Sequence, residues 1–474
     1  MKNIYDLKLH EATKINVEYP DSSTDNIPWD ILRVSGGWLY NETFVPYNAE
    51  FKQIMESEIV INYPTGKNEN MYSIGSLLPL KKFKPFAKFN DPIFGTEIKR
   101  ITFNGEEFDT YVLGGFFSNS EPCRFSQDNN FFLAQTNLTE FGNIITCLYS
   151  GITGYHKQDI GLGSRYEISQ MRWYENKLIH LFEKEIWLID PDTLKHTLVK
   201  KFDASRIGMA GGEGQLYNDR LVIDDGTNLM LYDFKTNKII STSNFDLGVI
   251  GASGTAIGLD YATVSPTGEN ILICWGGCSI EKPFNGRFGI ELWDKHFNFK
   301  RVVYPNSIHW ATGIDQAGDE VIYTVAPYKP KNTTNDYSKW IPDGTMSNDF
   351  IKIRLSDGKQ TVLLPTGDMP PFVVGASNFH TTPDKVYISY HHKGVKKDNE
   401  EVWKPFCGEI VEVDTDGSQN FRRLVATMST PSTLKPTRKY NEPDINISRD
   451  GKKLIYRSTY YGNIGDLYII DLEN

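Results

Sequence analysis

Seven times along this 474-residue chain, a strand runs into a tight polar turn and a very apolar strand follows. A third strand then closes on an Asp or a similar polar residue. The clearest copy is the last, Ile445-Asn-Ile-Ser-Arg-Asp-Gly451-Lys-Lys-Leu-Ile-Tyr456 followed by Asp466-Leu-Tyr-Ile-Ile-Asp471. The turn residues are Asn129, Asn176, Asp219, Gly268, Gly318, Asp384 and Gly451, spaced by 47, 43, 49, 50, 66 and 67 residues. Gly, Asn and Asp tolerate the positive φ that a two-residue hairpin demands. Hairpins at this period predict four-stranded blades with variable loops, and no run of helical periodicity competes with them. Aromatic residues make up 13% of the chain, and flat rings favour the pleated surface of strands. The fold class expected is all-β, a seven-bladed β-propeller.

The last copy has no room for the fourth strand that the others carry. A matching segment, Glu97-Ile-Lys-Arg-Ile-Thr102, stands at the front. An amino-terminal strand that completes the last blade would close the ring and remove its open edge. The expected boundaries are a small β-rich appendage over 1–62, a linker and lead-in over 63–96, and the propeller over 97–474. Trp38-Leu-Tyr40 and Thr43-Phe-Val-Pro46 read as short strands of the appendage, and Ala49 to Glu58 as one amphipathic helix.

Composition excludes several classes. The formal charge is -10 and no long basic run offsets it, so phosphates are repelled overall and nucleic acid is not an expected partner. Five cysteines, Cys123, Cys147, Cys274, Cys278 and Cys407, do not read as a disulfide framework. No stretch approaches the length of a membrane span, and Met1 to His10 lacks the apolar core of a secretory signal. The expected location is therefore cytoplasmic as made, or a virus particle.

In a propeller blade, the loop between strands two and three emerges on the same face as the join to the next blade. The long insertions fall there: Trp275–Phe288, Ala326–Asn348, His391–Phe406 and Thr427–Glu442, with joins at Asp203–Gly214 and Leu247–Tyr261. Long loops on a rigid scaffold are where binding sites are built. Gly208-Met-Ala-Gly-Gly-Glu-Gly214 reads as a flexible blade join. Asp190, Asp233, Asp294, Asp414 and Asp471 recur at the end of the third strand and read as turn caps.

Gly408-Glu-Ile-Val-Glu-Val-Asp-Thr-Asp-Gly-Ser418, Arg422-Arg-Leu-Val-Ala426, Ser448-Arg-Asp-Gly451 and Tyr461-Gly resemble the last two blades of TolB-like propellers. In particular they resemble propellers of the oligogalacturonate and ulvan polysaccharide lyases. Asp91-Pro-Ile-Phe-Gly-Thr-Glu-Ile-Lys-Arg-Ile-Thr102 resembles the lead-in strand of that group, and His309-Trp-Ala-Thr-Gly-Ile-Asp-Gln-Ala-Gly318 a blade start. The resemblance spans roughly 91–474 and implies binding of acidic polysaccharide and its cleavage by β-elimination. The tract 422–442 lacks the His residues usual in that group, and His380 lacks its Gly-His context.

Elimination from a uronate needs a base for the proton α to the carboxylate and a cation for the enolate. Expected catalytic residues are His309 and His380 near blade starts, with Tyr440 and Arg438. Expected substrate-binding residues are Arg165, Tyr166, Tyr261, Trp310 and His392, the last opening a long loop beside His391. His residues with Cys407 have the chemistry of zinc ligands, but no compact spacing supports a metal, and the cofactor is left unknown. Cys274-Trp-Gly-Gly-Cys278 reads as the start of an insertion with one buried thiol.

Two other readings stay open beside the glycan-interacting propeller. One is a non-enzymatic structural or attachment component of a larger assembly such as a phage tail, which the missing signal and the unplaced appendage suit. The other is an intracellular protein-interaction scaffold. Partners are accordingly polysaccharide or other proteins of an assembly.

Overall fold

The structure is a computed structural model. It describes residues 12–16, 28–34, 37–40, 43–46, 72–73, 88–91, 94–101, 110–111, 123–138, 143–154, 156–162, 170–212, 214–252, 256–308, 310–327, 334–341, 345, 349–366, 373–377, 382–390, 395–397, 400–403, 406, 408–427, 445–458 and 466–472. The chain divides into two compact units, Met1–Ile61 and Asn62–Asn474.

In the first unit, Ala12–Asn16, Pro28–Val34, Gly37–Tyr40 and Thr43–Pro46 form one antiparallel sheet in sequence order. The two expected strands are therefore joined by two that lack alternation. The expected helix over Ala49 to Glu58 lies outside the described residues.

The second unit is a seven-bladed β-propeller, and among the described residues it has no α-helix. Blade four shows the plan: Gly258–Val264, Asn270–Gly276, Gly289–Asp294 and Phe299–Tyr304 pair antiparallel in sequence order. Blade three keeps three regular strands, Arg220–Asp224, Leu229–Asp233 and Lys238–Thr242. Its innermost segment makes isolated bridges instead, Gly208 to Asp224 and Tyr217 to Arg220. Blade seven has five strands, because Glu97–Arg100 pairs with Asp466–Asp471 (Tyr468 opposite Arg100, Ile470 opposite Ile98) and Lys88–Asn90 pairs outside it.

The core lies between blades, and strand periodicity explains why. Side chains alternate across a strand, so a blade between two others must be apolar on both faces. In blade four, Ile271, Ile273 and Trp275 join the cluster with Val222 and Leu231 of blade three. Leu272 and Cys274 join the cluster with Ile322 and Ile351 of blade five. The run Ile271-Leu-Ile-Cys274 is thus continuous because both neighbours are sheets. Blades seven and one meet in the same way, with Phe125, Phe132 and Tyr149 packed against Ile445, Ile447 and Tyr456. Arg124 N–H donates to Asn446 Oδ1 at 3.0 Å across that junction, and Arg449 N–H to Asn129 Oδ1 at 2.7 Å.

Six of the seven turn residues have the expected positive φ: Asn129 (58°), Asn176 (57°), Asp219 (62°), Gly268 (80°), Gly318 (83°) and Gly451 (72°). Asp384 does not. Pro383 precedes it, and Lys385 N–H donates to Thr382 C=O at 3.0 Å. A Pro at the second position of a turn supports the ordinary type I geometry, which needs no positive φ.

Candidate functional site

The candidate site spans blades three to five, on the face that carries the long insertions. Two insertions make its wall. Tyr337 Oη, from blade five, donates to Glu281 Oε1 of blade four's insertion at 2.7 Å, and the Phe288 and Trp340 rings meet edge-on at 6.4 Å.

The innermost strand of blade four, Gly258–Val264, carries a bulge here. Leu259 lies opposite Trp275 and Tyr261 opposite Cys274, which leaves Asp260 as the extra residue between them. A bulge re-aims the side chain it carries. The half-buried Asp260 carboxylate accepts from Ser307 Oγ at 3.3 Å, and the Cys274 thiol lies 3.8 Å from the same oxygen. Burial pushes the Asp260 carboxyl up to about 6, against the smaller downward pull of Ser307 and Cys274. It can therefore hold or release a proton near neutrality.

The glycine-rich join that leads into blade three is built for this spot. A Cβ on Gly211 would stand 1.9 Å from the Asp260 carbonyl oxygen, and one on Gly214 would stand 2.5 Å from that of Ala262. Gly211 also has φ +80°, and Ala262 N–H donates to Ala210 C=O at 3.0 Å. The glycines permit backbone-to-backbone packing rather than a flexible join.

A cation is fixed on the same join. Arg206 Nη2 donates to Asp224 Oδ1 at 2.7 Å; the carboxylate is buried while the guanidinium is half exposed. Burial raises the Asp224 carboxyl, and Arg206 and the Gly226 N–H oppose it. Sequence reasoning pointed to Arg165 and Arg438 for this charge and passed over Arg206. A basic residue five positions before the close-packed Gly211 was the available signal.

Of the residues expected from sequence, Tyr261 and Trp310 are brought together. Their rings stack at 5.3 Å and 21°. At 2% and 1% exposure, both lie within the core between blades four and five. Their ring faces meet each other and the core rather than solvent. Trp310 Nε1 has no hydrogen-bond acceptor among the described residues. Arg165, Tyr166, His309, His380, His391, His392, Cys407, Arg438 and Tyr440 lie outside the described residues.

Both thiols of Cys274-Trp-Gly-Gly-Cys278 are buried, where the sequence led us to expect one, because Cys274 faces the core between blades four and five and Cys278 the core between blades three and four. The Asp residues ending the third strands divide into two groups. Asp190, Asp233 and Asp294 accept from backbone N–H groups of the following turn, as with Thr193 at 2.9 Å and Thr236 at 2.7 Å. Asp414 and Asp471 take the ammonium groups of Lys385 and Lys453 instead. Among the described residues, no three His, Cys, Asp or Glu side chains stand together as a metal site would need, and no helix is long and apolar enough to cross a membrane.

No protein-family model matches the sequence, and no curated protein matches it. Solved structures do resemble the fold. An oligogalacturonate lyase in complex with manganese superposes with a TM-score of 0.51 at 13% identity, over 82% of this chain and 97% of that one. The oligogalacturonate lyase from Vibrio parahaemolyticus gives 0.50, also at 13% identity, over 82% of this chain and 97% of that one. At this identity the likeness establishes the propeller fold and the resemblance to those propellers.

Proposed function

We propose that this propeller binds an acidic polysaccharide on its insertion-bearing face and cleaves it by β-elimination. The observation that carries the reading is Asp260, a half-buried carboxylate on a bulge of an innermost strand, beside Ser307 and titrating near 6. A base poised near the working pH suits abstraction of the proton α to a uronate carboxylate. The Asp260 carboxylate takes that proton, the C–H electron pair becomes the new carbon–carbon double bond, and the glycosidic C–O bond at the β carbon breaks. The leaving oxygen takes up a proton and becomes a hydroxyl. Arg206, held by Asp224, supplies a guanidinium for the sugar carboxylate, whose charge spreads into the enolate. His309, His380, Tyr440 and Arg438 remain candidates for acid–base work and charge. Arg165, Tyr166 and His392 remain candidates for binding, while Tyr261 and Trp310 belong to the core between blades four and five. The likeness to oligogalacturonate lyases supports the choice of substrate class.

The unsaturated uronide formed by elimination absorbs in the near ultraviolet. A panel of uronic-acid polymers, assayed with and without manganese, should yield that absorbance, and Asp260→Asn should reduce kcat by about 100-fold or more, the usual scale of acid–base assistance. His309→Ala and His380→Ala test the two histidines in the same assay. Binding without product would leave a non-catalytic glycan receptor. Neither binding nor product would abandon the glycan reading for that of an assembly component.

A further inference from the structure

A second constellation lies in blade four, where its insertion returns to the sheet. The Arg287 guanidinium stands 4.3 Å from the ring centre of Phe245, 4.6 Å from Trp293 and 5.6 Å from Trp275. Its Nη1 faces Glu291 Oε2 at 3.4 Å. That same carboxylate oxygen accepts the indole N–H groups of Trp275 at 2.9 Å and Trp293 at 3.1 Å. Glu291 is buried, and its burial raises the carboxyl while the two indoles and Arg287 hold it down.

The box is organised without Arg287. Trp275 stands next to the end of the second strand of the blade, Trp293 and Glu291 belong to the third, and Phe245 comes from the segment that precedes the blade. The Phe245 and Trp293 rings contact each other at 4.8 Å, and the two indoles fix the carboxylate. Arg287 arrives separately, on a tight turn closed by two backbone bonds of 2.9 Å between Phe284 and Arg287. Asn285 (φ 50°) and Gly286 (φ 79°) form that turn, and a Cβ on Gly286 would meet nothing within 4 Å. The arginine is thus presented to a preformed cage as a ligand would be. Aromatic faces and one carboxylate suit a flat, weakly hydrated guanidinium better than a compact ammonium.

We propose that Phe245, Trp275, Trp293 and Glu291 form a guanidinium-binding site whose resident ligand is the chain's own Arg287, and that this occupancy latches the 277–288 insertion. The insertion in turn holds that of blade five through Glu281–Tyr337 and Phe288–Trp340. The latch therefore sets the wall of the insertion-bearing face, whatever that face binds.

Arg287→Ala should leave the cage empty and able to take methylguanidinium. Titration followed by the quenching of tryptophan fluorescence and by calorimetry should show saturable binding at least tenfold tighter than to the unsubstituted protein. It should also be at least tenfold tighter than for methylammonium, and it should vanish in Arg287→Ala/Glu291→Gln. Proteolysis within 277–288 should be faster in Arg287→Ala and should slow again with methylguanidinium. A folded Arg287→Ala protein without saturable binding overturns the proposal, as does equal binding by the unsubstituted protein. If Arg287→Ala does not fold, Arg287→Gln refolded with and without methylguanidinium decides the matter: recovery with the ligand supports the site, and equal yields refute it.

Discussion

The hydroxyls of Tyr217 and Thr312 meet at 3.1 Å, joining blade three to blade five although blade four lies between them in the ring. Both residues are on innermost segments and both are buried, so side chains fill the axis at this level. Tyr217→Phe removes one partner and leaves the Thr312 hydroxyl to find another. We expect a loss of ~1–2 kcal/mol in urea unfolding. Thr312→Val in the same background should restore part of it, because no unpaired hydroxyl then remains. An unchanged midpoint in the single variant would show that this contact does not matter to the ring.

The protonation of Asp260 links its site to stability. Its folded carboxyl titrates near 6, above the ordinary carboxylate value of 3.8. Folding therefore favours the protonated form. That contribution is complete below about pH 4 and is lost as pH rises through 6. Asp260→Asn removes the cost of burying the charge. Its unfolding free energy, read from urea titrations, should match that of the unsubstituted protein near pH 4 and exceed it near pH 7.5 by ~1–2 kcal/mol after allowance for partial exposure. A stability difference that does not change with pH would contradict the assignment.

How much of this was legible in the sequence follows from the range of the forces involved. The hairpin turns were readable because a positive φ is a local demand that selects Asn, Asp or Gly at Asn176 or Gly268. The runs Ile271–Cys274 and Leu454–Tyr456 were readable because both strand faces are buried. Asp384 departed because Pro383 changes the turn from within. Asp260 was not readable. Nothing around it distinguishes a bulge from regular pairing, and its partners, Ser307 and Cys274, come from a blade join and a neighbouring strand. The aromatic residues Tyr261 and Trp310 were expected to meet a sugar, yet composition alone cannot separate a ring that stacks on a ligand from one that stacks on another ring. The glycines of the Gly208–Gly214 join looked flexible for the same reason. What they accommodate is the backbone of the next blade.

That packing gives a sharp test. Gly211→Ala places a methyl 1.9 Å from the Asp260 carbonyl oxygen, at a φ of +80° that an L side chain rarely adopts. Backbone cannot move aside as a flexible side chain would, so the cost should be ~3 kcal/mol or more. Gly251→Ala, at φ +73° but with nothing within 4 Å, is the control and should cost ~1 kcal/mol. The Gly211 variant should also lose any activity that depends on Asp260, because the bulge must shift. Equal effects of the two substitutions would mean that the join yields.

The last blade draws its outer strands from the other end of the chain. Glu97–Arg100 pairs with Asp466–Asp471, and Ile98 and Ile101 are each 2% exposed within the core that joins blades six, seven and one. The lead-in is pinned as well: Ala426 N–H donates to Asp91 Oδ2 at 2.9 Å, and Phe94 lies 4.7 Å from the buried Arg423 guanidinium. Arg423 in turn pairs with buried Glu409. Deleting 97–102 would remove two core isoleucines, at ~2–5 kcal/mol each, and bare the edge of Asp466–Asp471 to other chains. We expect aggregation, or a melting transition that is broad and lower by ten degrees or more. Removing Met1–Ile61, a separate compact unit, should leave the transition cooperative and within a few degrees of its original position. If the 97–102 deletion melts cooperatively at an unchanged temperature while light scattering reports a monomer, the amino-terminal strand does not hold the ring closed.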